Sequence, residues 1–194
     1  MAAQECGADA IGLNCFRGSK RYLDVERAAH WIGTLPSTLI KVAIVVNASF
    51  EEALATSELP FIDALQLHGD ETPEFCAELA AAEVRFGKAI AVSGDMSLEN
   101  AAAFSTDTIV LDSVPNGVFG GSGTTFPWEI ARRFVQAQPP VRVILAGGLT
   151  PENVRAAIRK VRPFGIDVTT GVESRPAKKN HLKLKRFIDT ALGA

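Results

Sequence analysis

The chain repeats one local pattern from end to end: a short apolar run rich in β-branched residues, a polar turn, and an amphipathic stretch with helical spacing. Strands that alternate with helices at this short period are typical of right-handed βαβ units and a parallel sheet. The predicted strands are Ala10–Phe16, Leu39–Val46, Ala64–Leu67, Gly87–Val92, Thr108–Leu111, Val141–Ala146 and Ile166–Thr170. The predicted helices are Val25–Gly33, Glu51–Glu58, Pro73–Glu83, Leu98–Phe104, Pro127–Gln138, Pro151–Val161 and Leu182–Leu192.

Three of these helices begin with recognisable capping signals. Thr72-Pro73 and Thr150-Pro151 each place a hydroxyl before a proline, which is favoured at the first helical position. Ser49 is followed three residues later by Glu52, the spacing of a capping box.

The number of strands leaves two architectures open. A doubly wound sheet can hold seven strands, whereas a (β/α)8 barrel needs eight. Residues Met1–Cys6 resemble the last turns of a helix, and Gly7 resembles its C-terminal cap. We therefore expect an α/β fold, a (β/α)8 TIM barrel that lacks its first strand and most of its first helix. No linker or shift in composition divides residues 1–194, so a single domain is predicted.

Composition excludes several classes of protein. Hydrophobic residues make up 47% and charged residues 22%, with a formal net charge of −2, as in ordinary globular enzymes. No basic stripe with interleaved aromatic residues suggests a nucleic-acid partner, and the longest apolar runs are too short to cross a membrane. The start carries no signal-peptide pattern, and Cys6, Cys15 and Cys76 have no metal-ligand spacing. Three widely spaced cysteines favour a reducing cytoplasm over a disulfide framework.

Glycines follow the last two predicted strands. Gly147 and Gly148 come directly after one strand, and Gly171 comes directly after the next. Without β-carbons, such turns allow backbone N–H groups to close around an anion. A single Gly-Gly sequence is usually only a tight turn, but two such turns in this order favour the phosphate site of a barrel.

Three polar side chains also lie at or near predicted strand ends. Asp112 ends a strand, where it can act as a general acid or base, or merely be a helix cap or a loop carboxylate. His68 ends another strand and is either a structural hydrogen-bond donor or a catalytic group. Arg21 lies in a loop where it can clamp a carboxylate or simply be solvated.

Taken in order, the motifs resemble the phosphoribosylanthranilate isomerase family over essentially the whole chain. The most specific strings are Gln-Leu-His-Gly-Asp-Glu at 66–71 and Gly-Val-Glu-Ser at 171–174. The other matching segments are Ala8–Leu13, Ser19–Tyr22, Leu111–Ser113, Gly120–Trp128 and Leu145–Asn153.

This resemblance implies an Amadori rearrangement of N-(5-phosphoribosyl)anthranilate to 1-(o-carboxyphenylamino)-1-deoxyribulose 5-phosphate in tryptophan biosynthesis, without a metal or an organic cofactor. Asp112 matches the general acid that opens the ribose ring, and Arg21 matches the arginine that holds the anthranilate carboxylate. The residues implied to bind substrate, with the phosphate turns among them, are Arg21, His68, Gly147, Gly148, Gly171, Val172, Glu173 and Ser174. The expected partner is a small phosphorylated molecule, and nothing in the sequence indicates an oligomeric state.

The sequence departs from the family at the general base. The family's base is a cysteine near the end of the first strand, and no residue of this chain aligns with it. Cys6 aligns with the helix after that strand, and Cys15 lies one strand away, about 5 Å to the side. We therefore expect the chain as given to be weakly active or inactive and marginally stable. Either Met1 is an internal methionine taken as the start, or the chain is a natural truncation.

Two other functions remain open. The first is that of another phosphosugar barrel enzyme. An indole-glycerol-phosphate synthase would need a lysine on a strand as general acid, and Lys88 is only a partial candidate. A phosphoribosyl-imidazole isomerase would be expected to show a twofold repeat, which the sequence lacks. The other function is that of a catalytically dead remnant that binds phosphorylated ligands, which the missing base favours.

Overall fold

The structure is a computed structural model that describes residues 2–94, 98, 101–113, 125–138 and 140–194. It contains two compact units. The first comprises Met1–Lys88 and Phe104–Thr106, and the second comprises Ala89–Ala103 and Asp107–Ala194. The prediction of a single domain stays a prediction.

The first unit alternates helices and strands as the sequence predicts. Its elements are α1 (Ala2–Glu5), β1 (Ala10–Asn14), α2 (Val25–Ile32), β2 (Ile40–Val45), α3 (Phe50–Ser57), β3 (Ala64–Leu67), α4 (Pro73–Ala81) and the first part of β4 (Phe86–Val92). The strands pair in chain order and in parallel, with Ala10 opposite Ile40, Val42 opposite Ala64 and Leu65 opposite Phe86. Gly7 has a φ of 96° and follows α1, as predicted for a helix C-terminus.

A continuous apolar core explains why the strands of the first unit form. Successive residues of a strand point to opposite faces, and in β3 Leu65 and Leu67 are buried while Ala64 and Gln66 are only half-buried. The helices contribute Ile32 of α2 and Leu79 of α4 to the same core, and neither is exposed to solvent.

Two of the predicted helix starts in the first unit are confirmed. Ser49 accepts a hydrogen bond from the Glu52 backbone N–H, and the Glu52 side chain accepts one from the Ser49 N–H, which completes a capping box. Thr72 caps α4 by accepting a hydrogen bond from the Phe75 N–H, and Pro73 occupies the first helical position.

The second unit contains the remaining elements. These are the end of β4, β5 (Thr108–Ser113), α5 (Trp128–Ala137), β6 (Arg142–Leu145), α6 (Val154–Val161), β7 (Gly165–Ile166), β8 (Glu173–Arg175), β9 (Lys178–Lys179) and α7 (His181–Leu192). Strands β5, β6 and β7 pair in parallel, with Thr108 opposite Arg142 and Ile144 opposite Gly165. Helix α6 contacts both α5 and α7. No helix in the part of the chain that the structure describes is long and apolar enough to cross a membrane.

The structure corrects four details of the sequence prediction. A 3-10 helix at Ala101–Phe104 replaces the C-terminal part of the predicted helix Leu98–Phe104, whose residues 99 and 100 lie outside the described residues. The predicted strand Ile166–Thr170 is only the two-residue β7, and a 3-10 helix, Thr170–Val172, follows it. The hairpin of β8 and β9 was not predicted, because its polar sequence lacks the alternating apolar residues of a strand.

The fourth correction concerns the start of α6. The helix begins at Val154, so Thr150 and Pro151 belong to a turn that precedes it. In that turn Asn153 Oδ1 accepts a hydrogen bond from the Thr150 N–H at 2.8 Å, and Asn153 Nδ2 donates to the Gly148 carbonyl at 2.9 Å. The asparagine side chain satisfies the backbone of the turn, which delays the helix by one turn.

Candidate functional site

A pocket in the second unit lies where β5 and β6 end and where the chain leaves β7. Its lining consists of Asp112, the segment Ala146–Leu149 and the segment Asp167–Thr170. The structure thus brings together three of the residues predicted from the sequence, Asp112, Gly147 and Gly148.

The backbone conformation at Gly147 and Gly148 favours glycine at both positions. Their φ angles are +76° and +63°, in the left-handed region that favours glycine. A β-carbon on Gly147 would lie 2.8 Å from Ser113 Cβ and closer still to the Ser113 backbone nitrogen. The turn after β6 therefore passes directly over the residue that follows Asp112, and no larger residue fits there without a shift.

Asp112 is the last residue but one of β5, and it is buried where it lines the pocket. The residue is 9% exposed, and its Oδ1 accepts a hydrogen bond from the Ser113 N–H at 2.7 Å. Helix α5 has Pro127 as its N-cap residue, so Asp112 does not cap that helix. Position and burial together suit a group that exchanges a proton with a ligand in the pocket.

The second glycine turn packs against the first. A β-carbon on Gly171 would meet the Leu149 backbone, with the carbonyl carbon at 3.0 Å and the carbonyl oxygen closer. Gly171 therefore lets the segment after β7 approach the Leu149 wall of the pocket, although it is not itself among the residues lining the pocket.

The next three predicted residues lie beyond the pocket lining. Val172 is fully buried, and the Glu173 carboxylate is 3.6 Å from Lys179 Nζ in the β8–β9 hairpin. The exposed Ser174 hydroxyl donates to the Lys178 carbonyl at 3.2 Å. Their assignment as substrate-binding residues stays a prediction.

Arg21 and His68 belong to the first unit, and both are half-buried. The Arg21 backbone N–H donates to Ser19 Oγ at 3.1 Å, which forms a tight turn. His68 directly follows β3, and its Nδ1 lies 2.7 Å from Gln66 Nε2. Because the amide nitrogen of Gln66 can only donate, His68 Nδ1 accepts, and the ring hydrogen is left on Nε2.

Cys15 follows β1, and burial raises the pKa of its thiol to about 11, because a thiolate is poorly solvated there. Its Sγ is 3.4 Å from the Leu13 carbonyl oxygen, to which the thiol donates. The group is therefore protonated near neutral pH, which agrees with the expectation that Cys15 is a poor substitute base.

Lys88 is buried in an ion pair. Its Nζ is 2.9 Å from Glu71 Oε2 and 2.8 Å from the Gly69 carbonyl oxygen. An ammonium group surrounded in this way suits a structural role better than the general-acid role that the alternative synthase would need.

The pocket also contains residues that the sequence reasoning missed. Asp167, Val168, Thr169 and Thr170 line it. Asp167 is a second carboxylate after a strand, but its strand has only two residues, so the signal that identified Asp112 was weak here. Among the described residues, no group of three or more His, Cys, Asp or Glu side chains is arranged to hold a metal ion.

Comparison with known proteins gives a consistent picture. The profile of the family described as N-(5'phosphoribosyl)anthranilate (PRA) isomerase matches residues 1–190. The N-(5'-phosphoribosyl)anthranilate isomerase of Magnetococcus marinus is 41% identical over 187 residues, which cover 96% of this chain and 86% of that protein.

Solved structures agree with the sequence matches. The phosphoribosyl anthranilate isomerase of Thermotoga maritima superimposes with a TM-score of 0.89 at 38% identity, covering 100% of this chain and 92% of the other. A phosphoribosyl anthranilate isomerase in complex with reduced 1-(o-carboxyphenylamino)-1-deoxyribulose 5-phosphate has a TM-score of 0.84 at 36% identity and the same coverage. The predicted fold class, the TIM barrel, is confirmed by these matches.

Proposed function

Because the chain belongs to the phosphoribosylanthranilate isomerase family, we propose that it converts N-(5-phosphoribosyl)anthranilate to 1-(o-carboxyphenylamino)-1-deoxyribulose 5-phosphate with Asp112 as general acid. The reaction is a step of tryptophan biosynthesis and moves hydrogen within one molecule, so its atoms and electrons balance without a second reactant. The observation that carries the proposal is the shared pocket of Asp112, Gly147 and Gly148.

The phosphate of the substrate is assigned to the two glycine turns. Backbone N–H groups at a turn with left-handed glycines can converge on an anion, and Gly171 lets the second turn come close. Thr169 and Thr170, which also line the pocket, add hydroxyl groups that can donate to phosphate oxygens.

Asp112 is assigned the proton transfer that opens the ribose ring. Its carboxyl group donates a proton to the ring oxygen, the bond from that oxygen to the anomeric carbon breaks, and a Schiff base forms. The second pocket carboxylate, Asp167, suits a sugar hydroxyl as a hydrogen-bond acceptor. A base, a role that is not assigned to Cys15, then takes the proton from the sugar's C2. The resulting enolamine tautomerises to the ketone as the C2 hydroxyl loses a proton and C1 gains one.

Arg21 and His68 are also assigned to substrate binding. We expect Arg21 to pair with the anthranilate carboxylate and His68 to donate from Nε2 to a polar group of the substrate. Val172, Glu173 and Ser174 are expected to support the phosphate turn. The three free cysteines suit a reducing cytoplasm, where we expect the chain to act.

The test compares turnover with binding in Asp112→Asn. We expect the turnover of this variant to fall by about a hundredfold or more, because a general acid contributes that much. Turnover is measured from the decrease in anthranilate fluorescence. Affinity for the reduced product analogue should stay within about threefold, because asparagine keeps the shape and one acceptor.

Asp107→Asn is the matched control, because Asp107 lies just before the same strand but pairs with Arg142 at the surface. It should keep both turnover and binding. Full turnover by Asp112→Asn would refute the proposed role of Asp112. Analogue binding without any turnover by the unsubstituted chain would favour a protein that binds phosphorylated ligands but lacks the base.

A further inference from the structure

A polar network in the first unit is built on a buried ion pair between Glu71 and Lys88. The two side chains are 3% and 4% exposed, and Lys88 Nζ lies 2.9 Å from Glu71 Oε2. Glu71 Oε1 accepts from the Asn47 N–H at 2.9 Å, and both carboxylate oxygens accept from the Gly69 N–H, at 3.1 and 3.0 Å. The ammonium group of Lys88 also donates to the carbonyl oxygens of Gly69, at 2.8 Å, and Leu67, at 3.5 Å.

Both charges of the pair are well compensated by these partners. Removing a carboxylate and an ammonium group from water is costly unless hydrogen bonds replace the lost hydration. The carboxylate here takes two backbone N–H groups and the ammonium, and the ammonium also lies 5.7 Å from the centre of the Phe104 ring. Such a satisfied pair has one favoured geometry, so it can fix the backbone segments that it binds.

Those segments follow β2 and β3. Asn47 has a φ of +50°, which is uncommon for a residue other than glycine, and its Oδ1 accepts from the Asp70 N–H at 2.7 Å. A β-carbon on Gly69 would lie 2.7 Å from the Asn47 backbone nitrogen, so the two turns are in close contact. The network therefore ties the turn after β3 both to the end of β2 and to β4.

His68 lies in the turn after β3 that this network holds in place. It lies between β3 and Gly69, and its backbone N–H donates to the Val45 carbonyl at 2.9 Å. Gln66 Nε2 lies 2.7 Å from His68 Nδ1 and so orients the imidazole ring. A shift of Gly69 would move His68 directly, since the two residues are adjacent.

We infer that Glu71 and Lys88 are positioning residues that fix His68 for contact with the substrate. The inference rests on the proposed substrate-binding role of His68. Because Glu71 and Lys88 act through the backbone of Gly69, removing them should weaken ligand binding only as long as His68 is present.

The test measures the dissociation constant of the reduced product analogue by calorimetry, so it does not depend on turnover. The main variant is the double substitution Glu71→Gln with Lys88→Met, which removes both charges and leaves no unpaired buried ion. We expect it and His68→Ala each to weaken binding about tenfold, as expected for a lost or misplaced hydrogen bond to a charged ligand. The triple variant should bind no more weakly than His68→Ala alone.

Asn47→Gly is a milder second variant, because glycine keeps the left-handed backbone but loses the side-chain oxygen that holds Asp70. It should weaken binding about threefold and speed amide hydrogen exchange at Asp70. In the double variant, exchange should speed up at both Gly69 and Asp70.

Lys41→Met is the matched control, because Lys41 is also a mostly buried lysine paired with a carboxylate, Asp63, but lies at the start of β2. It should leave the analogue affinity and the exchange of Gly69 and Asp70 unchanged. Normal binding by the double variant and weak binding by His68→Ala would overturn the inference while the role of His68 stands. Additive losses in the triple variant would also overturn it, and normal binding by His68→Ala would remove the proposed role of His68 itself.

Discussion

At the scale of single residues, the pocket depends on positions where a β-carbon has no room. Gly147 is the clearest of them, because its φ is positive and its neighbour across the turn is Ser113, the residue after Asp112. A side chain at this position affects the backbone that carries the proposed acid.

Gly147→Ala should therefore lower the free energy of unfolding by about 2 kcal/mol, from the strained φ and the contact with Ser113. Urea unfolding measures this loss, and calorimetry with the reduced product analogue should show weaker binding. Gly94→Ala is the control, since a β-carbon on Gly94 would meet no atom of the described residues within 4 Å. The explanation fails if the two alanine variants are equally stable.

Cys15 provides a prediction about pH. Burial disfavours the thiolate and raises the pKa to about 11, so at pH 8 only about one Cys15 in a thousand is ionised. Alkylation of Cys15 by iodoacetamide should be slow at pH 8 and should speed up about tenfold per pH unit up to pH 10. Mass spectrometry of the Cys15 peptide measures the rate, with free glutathione as the reference. A rate equal to that of glutathione at pH 8 would contradict the raised pKa.

Residues at strand ends were predictable from the sequence where the strand itself is long enough to recognise. Asp112 is the fifth of the six residues of β5, and Gly147 and Gly148 follow a clear apolar run, so all three could be assigned to the pocket. Asp167 could not, because β7 has only two residues. Val172 is buried in the core, and the motif string alone could not distinguish a core residue from a residue that lines the pocket.

At the scale of elements, the β8–β9 hairpin supports one wall of the pocket. Lys179 Nζ donates to the Thr169 carbonyl at 3.0 Å and lies 3.6 Å from the Glu173 carboxylate. Thr169 lines the pocket, so the Lys179 side chain links the hairpin to the site.

Lys179→Met should weaken the binding of inorganic phosphate about threefold, because the Thr169 segment loses a charged hydrogen-bond donor. Phosphate titration by calorimetry measures the change. Lys179→Arg should restore much of the affinity, since arginine keeps a donor and the charge. Lys178→Met is the matched control on the same strand, and an equal loss in that variant would point to overall charge instead of the hairpin.

The starts of the helices could be predicted from local sequence signals where no other side chain formed competing hydrogen bonds with the backbone. Thr72-Pro73 starts α4 as its sequence predicts, whereas the same pair at Thr150-Pro151 does not start α6. The difference is Asn153, whose side chain binds both Thr150 and Gly148 and keeps that stretch in a turn. A competing side-chain contact of this kind is hard to recognise from periodicity alone.

At the scale of the whole molecule, the family match covers residues 1–190, and strands alternate with helices in the described part of that range. The sequence predicted the alternation because each element contributes its own apolar face. The division into two compact units was not predicted, because it depends on which distant residues pack together.

Ligand binding should stabilise the whole chain. A ligand that binds only the folded state at a hundred times its dissociation constant adds about 2.7 kcal/mol to the free energy of unfolding. The reduced product analogue should then raise the unfolding temperature by about 5 to 10 °C, measured by scanning calorimetry. Anthranilate alone, which lacks the phosphate, should raise it much less. Equal shifts for the two ligands would contradict the phosphate assignment.

The two tryptophans are divided between the units, with Trp31 in α2 and Trp128 at the start of α5. Trp31 is 45% exposed, whereas the Trp128 indole nitrogen is buried and has no hydrogen-bond partner among the described residues. The fluorescence emission maximum of Trp128 should therefore lie at a shorter wavelength than that of Trp31. Replacing either one by phenylalanine would leave a single tryptophan, in the other unit, so the two variants together would follow the denaturation of each unit separately.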